Sequence, residues 1–272
     1  MVRIDCMNLL RQVITASIFI TSVLNGNAQE SDYYGITKVQ LPEDVVLEVG
    51  GMTFTDQGDL GVTTRRGELW LIKRPESPRP EFIRFAQGMH EPLGLAYREG
   101  SFYSSQRGEL TKITDLDGDD AADRYETIYS WPLEGNYHEY SYGPLFTPEG
   151  DMLITLNLGW IGRGASLSKW RGWMVKITES GELTPVATGM RSPAGYAYNK
   201  NGDIFYTENQ GDWVGSGRMT HVEPGDFVGN PEGLKWTGEP GSPLTLKPED
   251  IDETKGLTLY AVSYTHLRAH ET

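Results

Sequence analysis

The sequence predicts an all-β fold, a β-propeller, and three observations predict it. A strand–turn–strand unit recurs four times along the chain. Helical periodicity is weak everywhere after an N-terminal apolar run. The 32 glycines and 15 prolines disfavour long helices.

The chain opens with Arg3 and Arg11 around an apolar, uncharged run at residues 13–24 (VITASIFITSVL). Gly26, Asn27 and Ala28 then supply the small residues that a signal peptidase reads, so residues 1–28 are expected to be a signal peptide. Twelve residues are too few for a membrane span, which needs about 20. The chain is therefore expected to be exported, to a periplasm or outside the cell, and not to span a membrane. The single cysteine, Cys6, precedes the apolar run and would leave with the signal. No disulfide or Cys-x-x-Cys-His haem site is then available to the mature chain. The formal charge is −14, from 38 acidic and 24 basic residues, which argues against nucleic acid and anionic membranes as partners. Residues 29–44 read as a linker.

The repeats follow at residues 50–72, 91–113, 141–160 and 192–213. Each has a short apolar strand, a polar turn with glycine, a second strand and a polar loop. The turn glycines Gly58, Gly100, Gly150 and Gly202 are 42, 50 and 52 residues apart, the spacing of propeller blades. Residues 45–262 are thus expected to form an incomplete propeller of about four to four and a half blades. A β-sandwich with similar hairpins is the alternative.

This architecture predicts where a site lies. In a blade the first strand lines the axis and the second runs antiparallel to it, so first-strand starts and second-strand ends share one face. That rim collects His90, Glu91, His138, Glu139, Tyr140 and Arg191 from the starts. From the ends it collects Arg65, Arg66, Gln106, Arg107, Asn157 and residues 209–212. Convergent histidines, arginines and amides are the pattern of a binding site. Bonds between blade backbones are the alternative use for the same groups.

Residues 115–126 (DLDGDDAADRYE) place Asp115, Asp117, Asp119, Asp123 and Glu126 at positions 1, 3, 5, 9 and 12 of an EF-hand-type calcium loop. Ala121 sits at position 7, where a backbone carbonyl is the ligand. Position 6 holds Asp120 in place of glycine and must accept a left-handed backbone. Glu208 and Asp212 form a weaker second candidate.

The segments at residues 136–159 (NYHEYSYGPLFTPEGDMLITLNLG) and 189–213 (GMRSPAGYAYNKNGDIFYTENQGDW) resemble the soluble quinoprotein glucose/sorbosone dehydrogenase superfamily. More closely the chain is similar to the N-terminal propeller of exported proteins of planctomycetes and verrucomicrobia described as membrane-bound dehydrogenases. Residues 88–96 and 225–236 fit the same group.

The resemblance implies a six-bladed propeller, of which this chain is the N-terminal part. It also implies pyrroloquinoline quinone (PQQ) on the axis, often beside calcium, and oxidation of a sugar or alcohol. His138 matches the base that takes the substrate hydroxyl proton, and Arg191 the arginine of an Arg-Asn-Pro motif. Arg107, Asn209, Gln210 and Gly211 join Arg191 as candidate cofactor-binding residues. A cytochrome c is the implied electron acceptor of the full-length protein.

Two departures stand out: the family's asparagine and glutamine positions after the arginine hold Ser192 and Ala194. A non-catalytic propeller binding a polysaccharide or protein, and a calcium-dependent hydrolase such as a lactonase, are the alternatives. Residues 263–272 break the strand pattern and are similar to translated adapter DNA. They are expected to be a non-native tail.

Overall fold

The computed structural model describes residues 33–136, 138–159, 167–208, 217–251 and 264–265. The described residues divide into two units at the boundary between Val39 and Gln40. Of the first, the described residues 33–39 contain no strand or helix.

The second unit is a β-propeller of four antiparallel, four-stranded sheets among the described residues. The first blade runs β1 (Val49–Phe54), β2 (Leu60–Thr64), β3 (Leu69–Lys73) and β4 (Glu81–Ala86). The second runs β5 (Ala96–Arg98), β6 (Ser101–Ser105), β7 (Glu109–Thr114) and β8 (Arg124–Ser130). The third runs β9 (Ser141–Phe146), β10 (Met152–Leu156), β11 (Trp173–Ile177) and β12 (Leu183–Thr188). The fourth runs β13 (Gly195–Tyr198), β14 (Ile204–Glu208), β15 (Arg218–Val222) and β16 (Tyr264–Thr265). In every blade each strand pairs with the next in sequence, so the topology is a meander. β16 lies inside the segment expected to be a non-native tail. It pairs with β15 through Met219↔Thr265 and Thr220↔Tyr264.

The hairpins follow from local chemistry. In blades 1, 3 and 4 the turn repeats one bonding scheme. Thr55, Thr147 and Asn199 offer a side-chain oxygen to the amides of Asp59, Asp151 and Asp203 at 3.2, 3.2 and 2.9 Å. Glycine closes each of these turns with positive φ (82°, 98° and 91°). Blade 2 is one residue shorter at this point and turns on Glu99 and Gly100, with φ of 50° and 80°. Two successive left-handed residues are what a tight hairpin demands.

The core lies between blades. Leu69, Phe85, Phe102 and Ile113 fill the space between blades 1 and 2. Tyr103, Leu110, Met152, Ile154 and Trp173 fill that between blades 2 and 3. Leu153, Met174, Tyr206 and Val222 do so between blades 3 and 4. A strand inside such a stack is covered on both faces, which is why β10 (MLITL) is buried at every position. The first strands meet around the axis, β1 against β5, β5 against β9 and β9 against β13.

Glycine is needed at these meetings. A Cβ on Gly94 would lie 2.0 Å from the Gly143 carbonyl oxygen. One on Gly143 would lie 2.0 Å from the Tyr196 hydroxyl. That hydroxyl donates to the carbonyls of Tyr142 and Leu153, at 2.7 and 2.8 Å.

Gly94→Ala should therefore destabilise by about 3 kcal/mol, because backbone rather than a movable side chain opposes the new methyl. Gly58→Ala, where a Cβ meets nothing within 4 Å, should cost only the left-handed backbone, about 1 kcal/mol. Denaturant unfolding of the two variants checks the order. Equal losses would remove the close-approach argument.

Candidate functional site at the axial rim

Backbone bonds build the rim first. In the first three blades an amide just past the second strand reaches a carbonyl of the segment that enters the blade. Arg65 N donates to Glu48 O (2.8 Å), Arg107 N to His90 O (3.0 Å) and Asn157 N to Tyr140 O (2.9 Å). Side chains at the second-strand ends then clamp the entering segments. Gln106 Oε1 accepts from His90 N at 2.5 Å. Asn157 Nδ2 donates to His138 O and Ser192 Oγ, both at 3.3 Å. Glu208 Oε1 accepts from the amides of Arg191 and, at 2.8 Å, Ser192. Part of the rim's polarity thus bonds backbone, the alternative use noted for these groups.

The charged side chains form a tied group. Arg107 pairs with Glu91, gives Nη2 to Asn136 O at 2.5 Å and lies 5.2 Å from the centre of the Tyr140 ring. Arg65 donates to Glu91 Oε1 and to the Tyr140 hydroxyl, each at 3.1 Å. Three blades are joined there. Burial pushes the Glu91 carboxyl up, but Arg107 and Arg65 outweigh it and hold it below the usual carboxylate range. Glu91 itself has φ of 46°, a left-handed conformation rare for its residue type.

His138 is half-buried at this rim. Its amide donates to Asn136 Oδ1 at 3.0 Å, and its ring meets Tyr140 edge-on with centroids 6.2 Å apart. Burial, then the charges of Arg191 and Arg107, hold the imidazole below its ordinary value. That shift favours the neutral form of the ring near pH 7.

Arg171, in the run WRGW, is a rim residue that the blade pattern does not point to. It is fully buried, and its Nη1 donates to Tyr140 O at 2.7 Å. Burial pulls its guanidinium down to about 10, while the buried Glu139 opposes that shift. An arginine between two tryptophans was the available signal.

Glu208, paired in the sequence with Asp212 as a second calcium candidate, is engaged otherwise. Its Oε2 takes Arg218 Nη2 at 2.6 Å, Arg218 Nε at 3.2 Å and the Tyr206 hydroxyl at 3.1 Å. Asn209, Gln210, Gly211 and Asp212 lie outside the described residues.

The acidic loop joins β7 to β8. This third-to-fourth-strand connection emerges on the face opposite the rim. The carboxylates of Asp115, Asp117 and Asp123 come together, with ligand oxygens within 4.8 Å of one another. Asp115 also caps the amides of Gly118 (2.7 Å) and Asp120 (2.9 Å), and Asp123 that of Leu116 (2.7 Å). Asp120 has φ of 66°, the left-handed turn that position 6 requires.

Asp119 Oδ1 accepts from Ala121 N at 2.9 Å, and Glu126 bonds Arg124 at 2.5 Å. Those two carboxylates are outside the three-residue cluster. Asp119 and Asp123, more than burial, raise the Asp117 carboxyl above its usual value.

No protein-family model and no curated protein matches the chain. Solved structures do. An oxidoreductase of Thermus thermophilus described as a glucose dehydrogenase matches with TM-score 0.56 and 20% identity, over 68% of this chain and 65% of that one. The PQQ-bound aldose sugar dehydrogenase of Streptomyces coelicolor matches with TM-score 0.55 and 17% identity, over 73% and 66%. A calcium structure of a Trichoderma reesei protein of carbohydrate-active enzyme family AA12 matches with TM-score 0.52 and 13% identity, over 72% and 56%. The likeness is one of fold. This chain spans less than two thirds of the length of each of these three. No helix among the described residues is long and apolar enough to cross a membrane.

His138 should titrate below about 6.5, and Arg191→Gln should move it upward by removing a like charge. The folded imidazole holds its proton less tightly than the unfolded chain. Its contribution to stability is therefore complete above the unfolded value and is lost as pH falls through the folded one. Histidine resonances followed by NMR from pH 4.5 to 8, taken as roughly spanning the usual histidine range, check both. An unmoved resonance in the variant would contradict the proximity of Arg191.

Proposed function

We propose that this chain carries one side of the active site of an exported quinoprotein-type dehydrogenase, which oxidises a sugar or alcohol with PQQ. One observation carries the reading. On a chain of net charge −14, the described rim gathers Arg65, Arg66, Arg107, Arg171, Arg191 and Arg218 among Glu48, Glu91, Glu134, Glu139 and Glu208. A neutral imidazole sits among them. Fixed cations around a neutral base fit a planar tricarboxylate quinone and an alcohol to be deprotonated.

When bound, PQQ supplies the acceptor for the hydride that leaves the substrate carbon. His138 accepts the hydroxyl proton as that hydride departs. Arg191 supports negative charge building on ligand oxygens. Arg191 and Arg107 also disfavour the imidazolium once formed, so the proton passes on to solvent rather than resting on His138. Arg107, tied to Glu91 and Tyr140, contributes its field and holds the rim together. Ser192 is bonded by Asn157 and Ala194 offers no polar group, so recognition rests on cations more than on amides. Asn209, Gln210 and Gly211 are the remaining candidates for cofactor contact. A cytochrome c partner for the full-length protein belongs to the same reading.

In the full-length protein that contains this chain, reconstituted with PQQ and calcium, His138→Ala should lose about 10²- to 10⁴-fold in turnover while keeping cofactor affinity. Arg191→Ala should instead weaken PQQ binding. Aldose oxidation with an artificial electron acceptor measures the first, and tryptophan-fluorescence titration the second. Turnover unchanged in His138→Ala would end the assignment.

On the opposite face the acidic loop is the candidate for a structural calcium ion, with Asp115, Asp117 and Asp123 as its core. Asp119, Glu126 and the Ala121 carbonyl are the remaining expected ligands. Calcium should raise the melting temperature of the chain, and Asp117→Ala should abolish that rise. An equal rise in the variant would place the ion elsewhere.

A further inference from the structure

We infer that Glu208 is a positioning residue that sets Arg191 against His138, an inference that rests on the function proposed above. Its carboxylate is buried and saturated. Oε1 takes two successive amides, those of Arg191 and Ser192. Oε2 takes Arg218 through two nitrogens and the Tyr206 hydroxyl. With its lone pairs used, the group serves neither as a base nor as a metal ligand, so it acts through what it holds.

Two adjacent N–H groups aimed at one oxygen fix the direction in which the Arg191 backbone runs. From there the bonds continue into blade 3. Leu158 N donates to Arg191 O at 3.1 Å, and Asn157 Nδ2 joins Ser192 Oγ to His138 O. The cation and the base are thereby held in one register across two blades. Arg218 neutralises Glu208, with both side chains only 3% exposed. The clamp therefore adds no net negative charge beside an anionic ligand. Misplacing a site group by an ångström can cost about 100-fold in rate, so such a clamp matters to chemistry.

The experiment compares wild type, Glu208→Ala and the double variant Glu208→Gln/Arg218→Gln. In the double variant the new amide can keep its oxygen on the Arg191 and Ser192 amides and donate its nitrogen to Gln at position 218. Amide hydrogen exchange is read at Arg191 and Ser192 in ligand-free chain, and PQQ affinity by tryptophan fluorescence. Glu208→Ala should speed exchange at those two amides at least about 10-fold and weaken PQQ about 10-fold, the size of one lost hydrogen bond to a charged group. The double variant should restore both while its melting temperature stays low, because the ion pair is gone. A merely structural pair would not show that separation.

Unchanged exchange in Glu208→Ala overturns the inference. If that variant does not fold, fast exchange in the double variant overturns it instead. A wild-type chain that fails to bind PQQ sinks the proposed function, while exchange still decides whether the clamp exists.

Discussion

The innermost strands of the first three blades approach one another backbone to backbone. Gly51 lies against Gly94, Gly94 against Gly143, and Gly143 against the Tyr196 hydroxyl. No side chain larger than hydrogen fits between them without moving main chain. The rest of the architecture follows from that contact. With the first strands locked, the second and third strands stack face to face, and their side chains make the core between blades. The burial of β10 on both faces and the full burial of Trp173 are consequences of this stacking. Tyr196 replaces a glycine contact with a hydrogen-bonded hydroxyl, so blade 4 meets blade 3 through a side chain.

The same convergence creates an electrostatic problem at the rim. Every blade delivers polar backbone ends to a small, partly dry region, and unpaired groups there are costly. Gln106, Asn157 and Glu208 answer it by bonding the segments that enter their own blades. Their chemistries differ, yet each occupies the end of a second strand or the residue just after it. Once backbone groups are satisfied in this way, the arginines can remain charged without also serving as structural caps. Arg107, which bonds Asn136 O, and Arg171 are exceptions. Buried and bonded to Tyr140 O, Arg171 trades part of its basicity for a fixed place beneath the strand that follows His138.

Much of the fold was legible because its signals are local. Turn glycines with polar partners three or four residues away announce hairpins, and their recurrence announces blades. Asp120 in a left-handed conformation was legible for the same reason. The rim was legible as a region, since strand direction alone decides which residues share a face. What could not be read was the allocation of bonds within it. Arg107 takes Glu91 as its partner from 16 residues away, and Glu208 takes Arg218 from 10. Such choices depend on side-chain reach across a curved sheet, which no spacing rule encodes. Arg171 was missed because a lone arginine beside tryptophans has many structural uses. In the acidic loop, spacing brought five carboxylates into a ligand pattern. Two of the five bond close neighbours in the chain instead, Asp119 the Ala121 amide and Glu126 the Arg124 guanidinium.

Ser192 shows how a short hydroxyl can serve at a strand start. Its hydroxyl is short and accepts the Asn157 amide, which also holds His138 O. The position thus links two blades, a role a longer amide could fill only by shifting the strand start. A site built this way offers a ligand charge more than neutral amides. Hydrogen bonds between neutral amides and a ligand are directional and little affected by salt, whereas exposed ion contacts are screened within about 10 Å at ordinary ionic strength. Arg65 stands exposed and is subject to that screening, while Arg107 is only 11% exposed and Arg171 fully buried. The inner cations therefore keep their field where the outer one loses it. Of these inner cations Arg107, together with Arg191, acts on the His138 ring.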